Sequence, residues 1–467
     1  MPAAAPVRLV HLGLGNFFRA HQAWFTAHAA DADADAWGYA AFGGRGSALA
    51  DRLAEQDGLY SLVTRTAGGD TAEVVCSISA VHGADDHAAW LEHFTSANLA
   101  AVTLTVTEAG YHTRSAPGGA IGIDLADRQI AADVQALRTD LSAPVRSAPG
   151  RLVAGAAARC RAGLGPVALV PCDNLPANGS VAALAVAELA GAVDAGLAGD
   201  VAGMFAPVTT VVDRITPRAT AADAAVAAAA TGLADTATVV TEPYAEWVLC
   251  GSFPARHPSW EAAGAVVRPH AADATPYEER KLRMLNGAHS LLAYAGSILG
   301  HRTVAGALDD PTLRAWVEQW WDEASPTVRL DPSEIDAYRV ALRDRFANRR
   351  MRDQLARIAE DGSQKLPVRA VPVVRSERAA GRVPVAGAVL LAAWVCHLRG
   401  LGAEVRDVRA GDVVPAAGGP LATAVPRVLS LLGDDLAGDP ALVDAVERRC
   451  RELAGAAGHA AAGVGSS

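Results

Sequence analysis

Cysteine is sparse and scattered. The six residues, Cys76, Cys160, Cys172, Cys250, Cys396 and Cys450, include no CxxC pair. That argues against zinc knuckles and thioredoxin-type chemistry, and gives no disulfide framework in a chain this long. Long apolar runs are also missing. None reaches the ~18 residues of a membrane span, because Asp, Glu, Arg or Gly interrupts every alanine-rich stretch. The start, MPAAAPVRLVHLGLG, has no charged region followed by a long apolar segment. Positive charge is short as well, with 41 Lys and Arg against 51 Asp and Glu, a formal charge of −10. This argues against nucleic-acid or anionic-membrane partners, but leaves room for a local basic pocket around a small anion. A cytoplasmic protein is expected, with Asn178-Gly179-Ser180 read as a turn and not as a glycosylation site.

A length of 467 residues suggests roughly two or three domains. The first half alternates β-like runs (Arg8–Leu12, Trp37–Phe42, Leu59–Arg65, Glu73–Val81, Ala101–Thr107, Val167–Pro171) with helical stretches such as Ala20–Ala29 and Arg151–Ala162. This predicts an α/β fold with a parallel sheet, a Rossmann-type dinucleotide-binding domain over residues 1–270. A further β-like pair is read at Pro207–Ile215 and Thr238–Glu242. Residues 271–454 are read as mainly α-helical, with helices over Tyr277–Gly300, Pro311–Glu323, Pro332–Arg345, Arg350–Asp361, Val385–Leu398 and Pro440–Ala454. Residues 455–467 are read as a flexible tail.

The segment His11-Leu12-Gly13-Leu14-Gly15-Asn16-Phe17-Phe18-Arg19 follows the first strand and opens a helix. Such a loop brings backbone N–H groups to a pyrophosphate, with Gly13, Gly15, Asn16 and Phe17 as the contacting residues. The third fingerprint position holds Phe18 instead of glycine. The second strand ends Gly43-Gly44-Arg45-Gly46-Ser47, with no acid at its tip for a ribose 2′-hydroxyl. Asp31, Asp33 and Asp35 come too early for that role. Arg45 and Ser47 could accept a 2′-phosphate, so spacing alone leaves NAD(H) and NADP(H) both open.

The segment Tyr277–Leu292 is the most informative. At ~100° per residue Lys281 falls inside the apolar stripe, with Glu278 and His289 beside it and Asn286 at its edge. Arg280, Arg283 and Glu279 are predicted to face solvent. A lysine on a buried face has its charged form disfavoured and can act as a base. Oxidation of a secondary alcohol needs that base and donors for the developing alkoxide, which Lys281, Asn286 and His289 supply within two turns. Cys172-Asp173-Asn174 and Asp213-Arg214 each follow a β-like run. Arg357 and Lys365 flank Asp361-Gly362-Ser363-Gln364, read as a helix end and turn.

These motifs together resemble the mannitol dehydrogenase family of polyol-specific long-chain dehydrogenases. Gly13–Gln22, Thr107–Tyr111, Cys172–Asn174, Thr210–Pro217 and Glu242–Trp247 are similar to its nucleotide-domain motifs. Lys281-Leu-Arg-Met-Leu-Asn286-Gly-Ala-His289 is similar to its KxxxxNxxH signature, and Asp361–Pro367 to a stretch near its substrate site. The resemblance implies Lys281 as general base and Asn174 and Asn286 as donors to the reacting oxygen. It further implies His289 on a substrate hydroxyl, Asp213, Arg357 and Lys365 orienting an open-chain sugar, and Glu278 relaying protons. It implies no metal, NAD(H) as the cofactor with NADP(H) the alternative, and a D-mannitol/D-fructose type of substrate pair. The rival readings are a hexuronate reductase, for whose carboxylate Arg357, Lys365 or Arg369 could provide the cation, a D-arabinitol dehydrogenase and a non-catalytic nucleotide-binding sensor. A monomer or weak homo-oligomer is expected.

Overall fold

The computed structural model describes residues 4–29, 36–44, 46–115 and 121–464. It divides into two compact units, Met1–Thr275 and Pro276–Ser467, where the sequence reading puts the boundary after residue 270.

The first unit is built on six parallel strands: β1 (Val7–Leu12), β2 (Gly38–Phe42), β3 (Ile78–His82), β4 (Ala101–Leu104), β5 (Val167–Pro171) and β6 (Phe205–Pro207). Their order across the sheet is β6-β5-β4-β1-β2-β3. The runs are apolar at nearly every position because both faces are covered. Val10, Leu12, Ala40, Phe42, Val102 and Leu169 enter one core, with Trp90 and Leu152. Leu9, Tyr39, Ala41, Ala101, Ala168 and Val170 enter the core on the other side. Alternate residues along each strand thus serve opposite cores.

Several predicted elements divide. The run Glu73–Val81 serves two sheets: Gly69–Val75 pairs antiparallel with Tyr60–Thr66, and the chain then crosses at Cys76-Ser77 into β3. The buried Ser77 fixes that crossing, with its hydroxyl donating to the Ala23 carbonyl at 2.7 Å and its carbonyl accepting from the Tyr39 N–H at 2.8 Å. Thr209–Asp213 pairs with Glu246–Cys250, and Val239–Thr241 pairs with Tyr60–Thr66, so the expected pair is not a pair. The first helical stretch breaks at His21 into Asn16–Ala20 and Gln22–Ala27.

The second unit is helical. The expected helix over Arg350–Asp361 shrinks to Leu355–Ile358. Arg352 takes a left-handed backbone (φ 53°), and the neighbouring backbone groups pair elsewhere: the Leu355 N–H with the Arg302 carbonyl, and the Val304 N–H with the Asp353 carbonyl. Asp361 (φ 55°) then starts the helix Gly362–Arg369, so the segment read as a helix end is a helix beginning. The last helix runs Pro440–Val464 and continues past Gly455, as high alanine content favours; only 465–467 of the expected tail lie outside the described residues. No helix among the described residues is long and apolar enough to cross a membrane.

Helix Val385–Leu398 is buried from Ala386 onward. Pro384 at its N-cap offers no side-chain acceptor. Glu323, at the end of helix Pro311–Ala324, supplies one instead, accepting the N–H groups of Val385, Ala386 and Gly387 at 2.7, 2.8 and 2.9 Å. Replacing Glu323 by Ala would leave buried donors unpaired, and we expect it to cost about 3 kcal/mol of unfolding free energy in urea titrations. A loss below ~0.5 kcal/mol would mean that water or another group caps the helix equally well.

Candidate active site

The strand order reverses between β1 and β4, and in open α/β sheets the crevice beyond the carboxyl ends at that point takes the ligand. Gly13 sits there with φ +115°, and a Cβ on it would lie 2.5 Å from the Thr105 carbonyl oxygen. Only glycine fits. Gly15 differs, since a Cβ there would meet nothing nearer than the Gly13 carbonyl oxygen at 3.5 Å. Its glycine keeps space open beside the loop, as a closely approaching pyrophosphate requires. The loop geometry therefore fits a dinucleotide.

Around the loop the structure explains what the motif lacks. The Phe18 ring is buried and stacks on His11, centroids 3.6 Å apart and 7° from parallel, and meets Tyr39 edge-on at 5.1 Å. Helix-to-strand contact is made by aromatic stacking where a third glycine would allow close backbone packing. His11 itself lies between two hydroxyls, Nδ1 2.8 Å from Thr103 Oγ1 and Nε2 3.0 Å from Thr105 Oγ1. Thr105 Oγ1 donates to the Gly13 carbonyl at 2.7 Å, so the imidazole is tied to the loop. Asn16 Oδ1 accepts from Arg19 Nη2 at 2.8 Å, and Phe17 stacks on His21 at 4.9 Å. The buried Arg19 also donates to the Ala237 carbonyl and lies over the Tyr60 ring, and burial lowers its pKa to about 10. Arg45, Asp31, Asp33 and Asp35 lie outside the described residues.

Past β5, Asp173 is buried and Asn174 exposed. Asp173 accepts the Tyr111 hydroxyl at 2.5 Å and the Leu175 N–H at 2.8 Å, and burial raises its pKa. Asn178, read as part of a turn, is instead the first residue of helix Asn178–Val193 and is fully buried. Its amide donates to the carbonyls of Asp173 and Thr210 and accepts from the Thr210 N–H at 2.9 Å. That bond joins the Asn174 loop to strand Thr209–Asp213, at whose buried end Asp213 faces Glu246. Arg214 pins the same end to helix Asn16–Ala20 by donating to the Ala20 carbonyl.

In the second unit the informative segment is one continuous helix over 275–298 in two ladders. Thr275–Arg280 and Gly287–Leu291 are α-helical, while Lys281–Asn286 and Leu292–Gly296 are π-helical. A uniform 100° wheel therefore misplaces residues. An i→i+5 ladder stacks residues five apart where an α ladder stacks those four apart, which draws Asn286 toward the Lys281 side. His289 follows one α turn later, half-buried, its ring stacked on Phe346 at 4.6 Å and 22°. Glu278 and Lys281 are also half-buried. The solvated face predicted for Arg280, Arg283 and Glu279 is a correction. Arg280 is buried, over the rings of Tyr277 at 5.2 Å and Tyr338 at 4.2 Å. Arg283 pairs with Glu279 at 2.7 Å and donates to the Thr327 carbonyl.

Lys365 lies inside helix Gly362–Arg369, its Nζ 3.3 Å from the Ile358 carbonyl oxygen. Burial, then the Arg369 charge, lower its pKa. Arg369, read from the sequence as a candidate cation for a sugar carboxylate, belongs to this group. Its Nη1 donates to Ser290 Oγ at 3.2 Å, joining this helix to the Lys281 helix, and burial lowers its pKa to about 10. The available signal was spacing, since Lys365 and Arg369 are one helical turn apart. Arg357 is exposed on the short Leu355–Ile358 helix.

A six-stranded parallel sheet with its glycine loop at the switch point defines the first unit as a Rossmann-type domain. The chain belongs to the mannitol dehydrogenase family: the family's Rossmann-domain model matches residues 7–262, and its C-terminal-domain model residues 273–451. The D-mannonate oxidoreductase of Escherichia coli K12 is 34% identical, over 83% of this chain and 80% of the relative. Among solved structures, D-sorbitol dehydrogenase in substrate-free form has a TM-score of 0.87 at 28% identity, covering 97% of this chain and 95% of that one. The mannitol 2-dehydrogenase of Pseudomonas fluorescens, in a ternary complex with NAD and D-mannitol, has a TM-score of 0.73 at 29% identity, with coverages of 98% and 94%.

Burial lowers the His11 pKa from 6.5 to about 3, so the folded state holds the ring neutral while the unfolded chain binds a proton below 6.5. Stability from this group is complete above pH 6.5 and falls as pH drops from there toward 3, by up to about 1.4 kcal/mol per pH unit. We expect His11→Gln to flatten the fall in unfolding free energy between pH 6.5 and 5, a range above most carboxylate titrations. Equal slopes in both proteins would show that the ring takes up its proton without unfolding.

Proposed function

We propose that this chain interconverts a sugar alcohol and its ketose with NAD(H), most closely a D-mannitol/D-fructose pair, and uses no metal. The observation that carries the reading is the π turn Lys281–Asn286, which draws an amine and a carboxamide toward one side of a half-buried helix, with His289 one turn on. The relative solved with NAD and D-mannitol supports the substrate class and the cofactor.

A nicotinamide nucleotide, when bound, would supply the hydride chemistry. Lys281 Nζ, as the free amine, takes the hydroxyl proton as the carbinol C–H bond breaks, and in the reverse direction, as the ammonium, gives a proton to the ketose oxygen. Asn286 and Asn174 donate to the oxygen as negative charge grows on it, where fixed donors are most effective. Glu278, one turn before Lys281, passes the proton to solvent. His289 bonds a neighbouring hydroxyl in the orientation set by Phe346. Asp213, Arg357 and Lys365 orient the rest of the chain. Gly13, Gly15, Asn16 and Phe17 would hold the pyrophosphate, and Arg45, outside the described residues, is the sequence candidate for the ribose end.

A second reading, a hexuronate reductase, is favoured by the partly desolvated Lys365 and Arg369 on one helix and by the D-mannonate oxidoreductase relative. A panel of mannitol, arabinitol, sorbitol, fructose, mannonate and fructuronate, run with each nucleotide, separates the two. We expect turnover of a neutral polyol with little salt dependence. Turnover of fructuronate but not fructose, falling steeply with salt, assigns the hexuronate reaction instead. A kcat/KM more than tenfold higher with NADP(H) overturns the NAD(H) assignment.

Two variants test the roles. Lys281→Ala should lower kcat by ~10²-fold or more with the nucleotide Kd unchanged. An equal loss of nucleotide affinity, or undiminished turnover, removes Lys281 as the base. Gly15→Ala should leave Tm within a few degrees and weaken NADH binding at least tenfold, measured by fluorescence titration; unchanged Kd removes the loop from the pyrophosphate site.

A further inference from the structure

We propose that Trp320 and Trp321 are positioning residues that hold the π register of the Lys281–Asn286 turn through their indole N–H groups, and that Gly287 is glycine to admit the Trp320 ring. The proposal rests on the reading of Lys281 as the base.

A helix that steps from i→i+4 to i→i+5 bonding disturbs its ladder at the step; the Gly287 N–H there is shared between the Leu282 and Met284 carbonyls, and a carbonyl in so irregular a turn can take a further donor from another element. Two consecutive carbonyls inside the π turn receive one. Trp320 Nε1 donates to the Arg283 carbonyl at 2.8 Å, and Trp321 Nε1 to the Met284 carbonyl at 3.1 Å. Both indoles are fully buried and come from the last turns of helix Pro311–Ala324. Ordinary core filling would account for two buried tryptophans, but not for both N–H groups lying on adjacent carbonyls of the one irregular turn.

Gly287 closes the π turn with φ −64°, so its backbone does not require glycine. Space does. A Cβ at that position would lie 2.5 Å from Trp320 Cζ2 and 2.7 Å from its Nε1. The contact reaches His289 too. Trp321 lies 6.0 Å from the Phe346 ring, and Phe346 stacks on the His289 imidazole. Arg339 and Arg343 lie over Trp321 at 5.9 and 5.6 Å, and Glu318 of the tryptophan helix binds both, at 3.0 and 2.6 Å. Without the indole donors the ladder can relax to i→i+4 bonding. Asn286 then rotates away from Lys281 while the helix itself persists.

The test uses the full chain with Trp320→Phe, Trp321→Phe, Gly287→Ala and, as control, Lys281→Ala. Trp→Phe keeps an aromatic ring and removes the N–H. It also keeps the test decisive if Gly287→Ala fails to fold. We expect Trp320→Phe to lower kcat by about 10- to 100-fold while substrate KM and nucleotide Kd change by less than about threefold. The kcat–pH profile should shift, and amide exchange should speed up within 281–291 and not across the other helices of the unit. Unchanged kcat and pH profile in Trp320→Phe, beside an inactive Lys281→Ala, overturn the proposal and leave the base assignment standing. Exchange that speeds up across the whole unit with kcat unchanged overturns it as well. If Lys281→Ala turns over normally, the base assignment fails; amide exchange in 281–291 then decides the register claim, and unchanged protection there overturns it.

Discussion

Consecutive carbonyls of Arg283 and Met284 are bonded by indole N–H groups from another helix, and much of the second unit is arranged around that fact. The helix that supplies them, Pro311–Ala324, is itself fixed at both ends. Asp310 caps its start through the Thr312 and Leu313 N–H groups, and Glu323 near its end caps the buried helix Val385–Leu398. Glu318 binds two arginines of Pro332–Ala347, the helix that carries Phe346 under His289. One 14-residue element therefore sets the register of the Lys281 helix, the placement of the most buried helix and the support of the His289 ring.

The first unit meets a different constraint at its glycine loop. A Rossmann loop needs its helix close to its first strand, commonly through a third glycine. Here the contact is made by Phe18 on His11, and His11 is held by two threonine hydroxyls, one of which also bonds the Gly13 carbonyl. A neutral buried histidine thus connects sheet, loop and helix. Gly13 keeps its strict backbone role, and Gly15 keeps the loop surface open.

The parallel sheet and the helical second unit were legible because strand–helix alternation and apolar periodicity are local signals. Lys281, Asn286 and His289 were legible as a motif. Their geometry was not, because a fixed 100° period cannot register a change of ladder, and Arg280 was misread as solvated because the period does not show that the rings of Tyr277 and Tyr338 cover it. The crossing at Cys76-Ser77 was hidden for a similar reason: a continuous β-like run carries no mark of which sheet each half joins. Arg350–Asp361 looked helical, but its backbone groups find partners around residues 302–304, a tertiary choice that propensity does not contain. Arg369 was legible as a candidate cation, but not its link to the Lys281 helix, which comes from Ser290, 79 positions away.

We propose Lys281 as the base, standing on a turn that fixes its amine. Chemical rescue tests it most directly: hydride transfer in Lys281→Ala is followed at 340 nm in single turnovers while small primary amines are added. Turnover should return in proportion to the free-base amine and rise with amine basicity. Failure of every amine small enough to enter the vacated space, with nucleotide and polyol still bound, would contradict it.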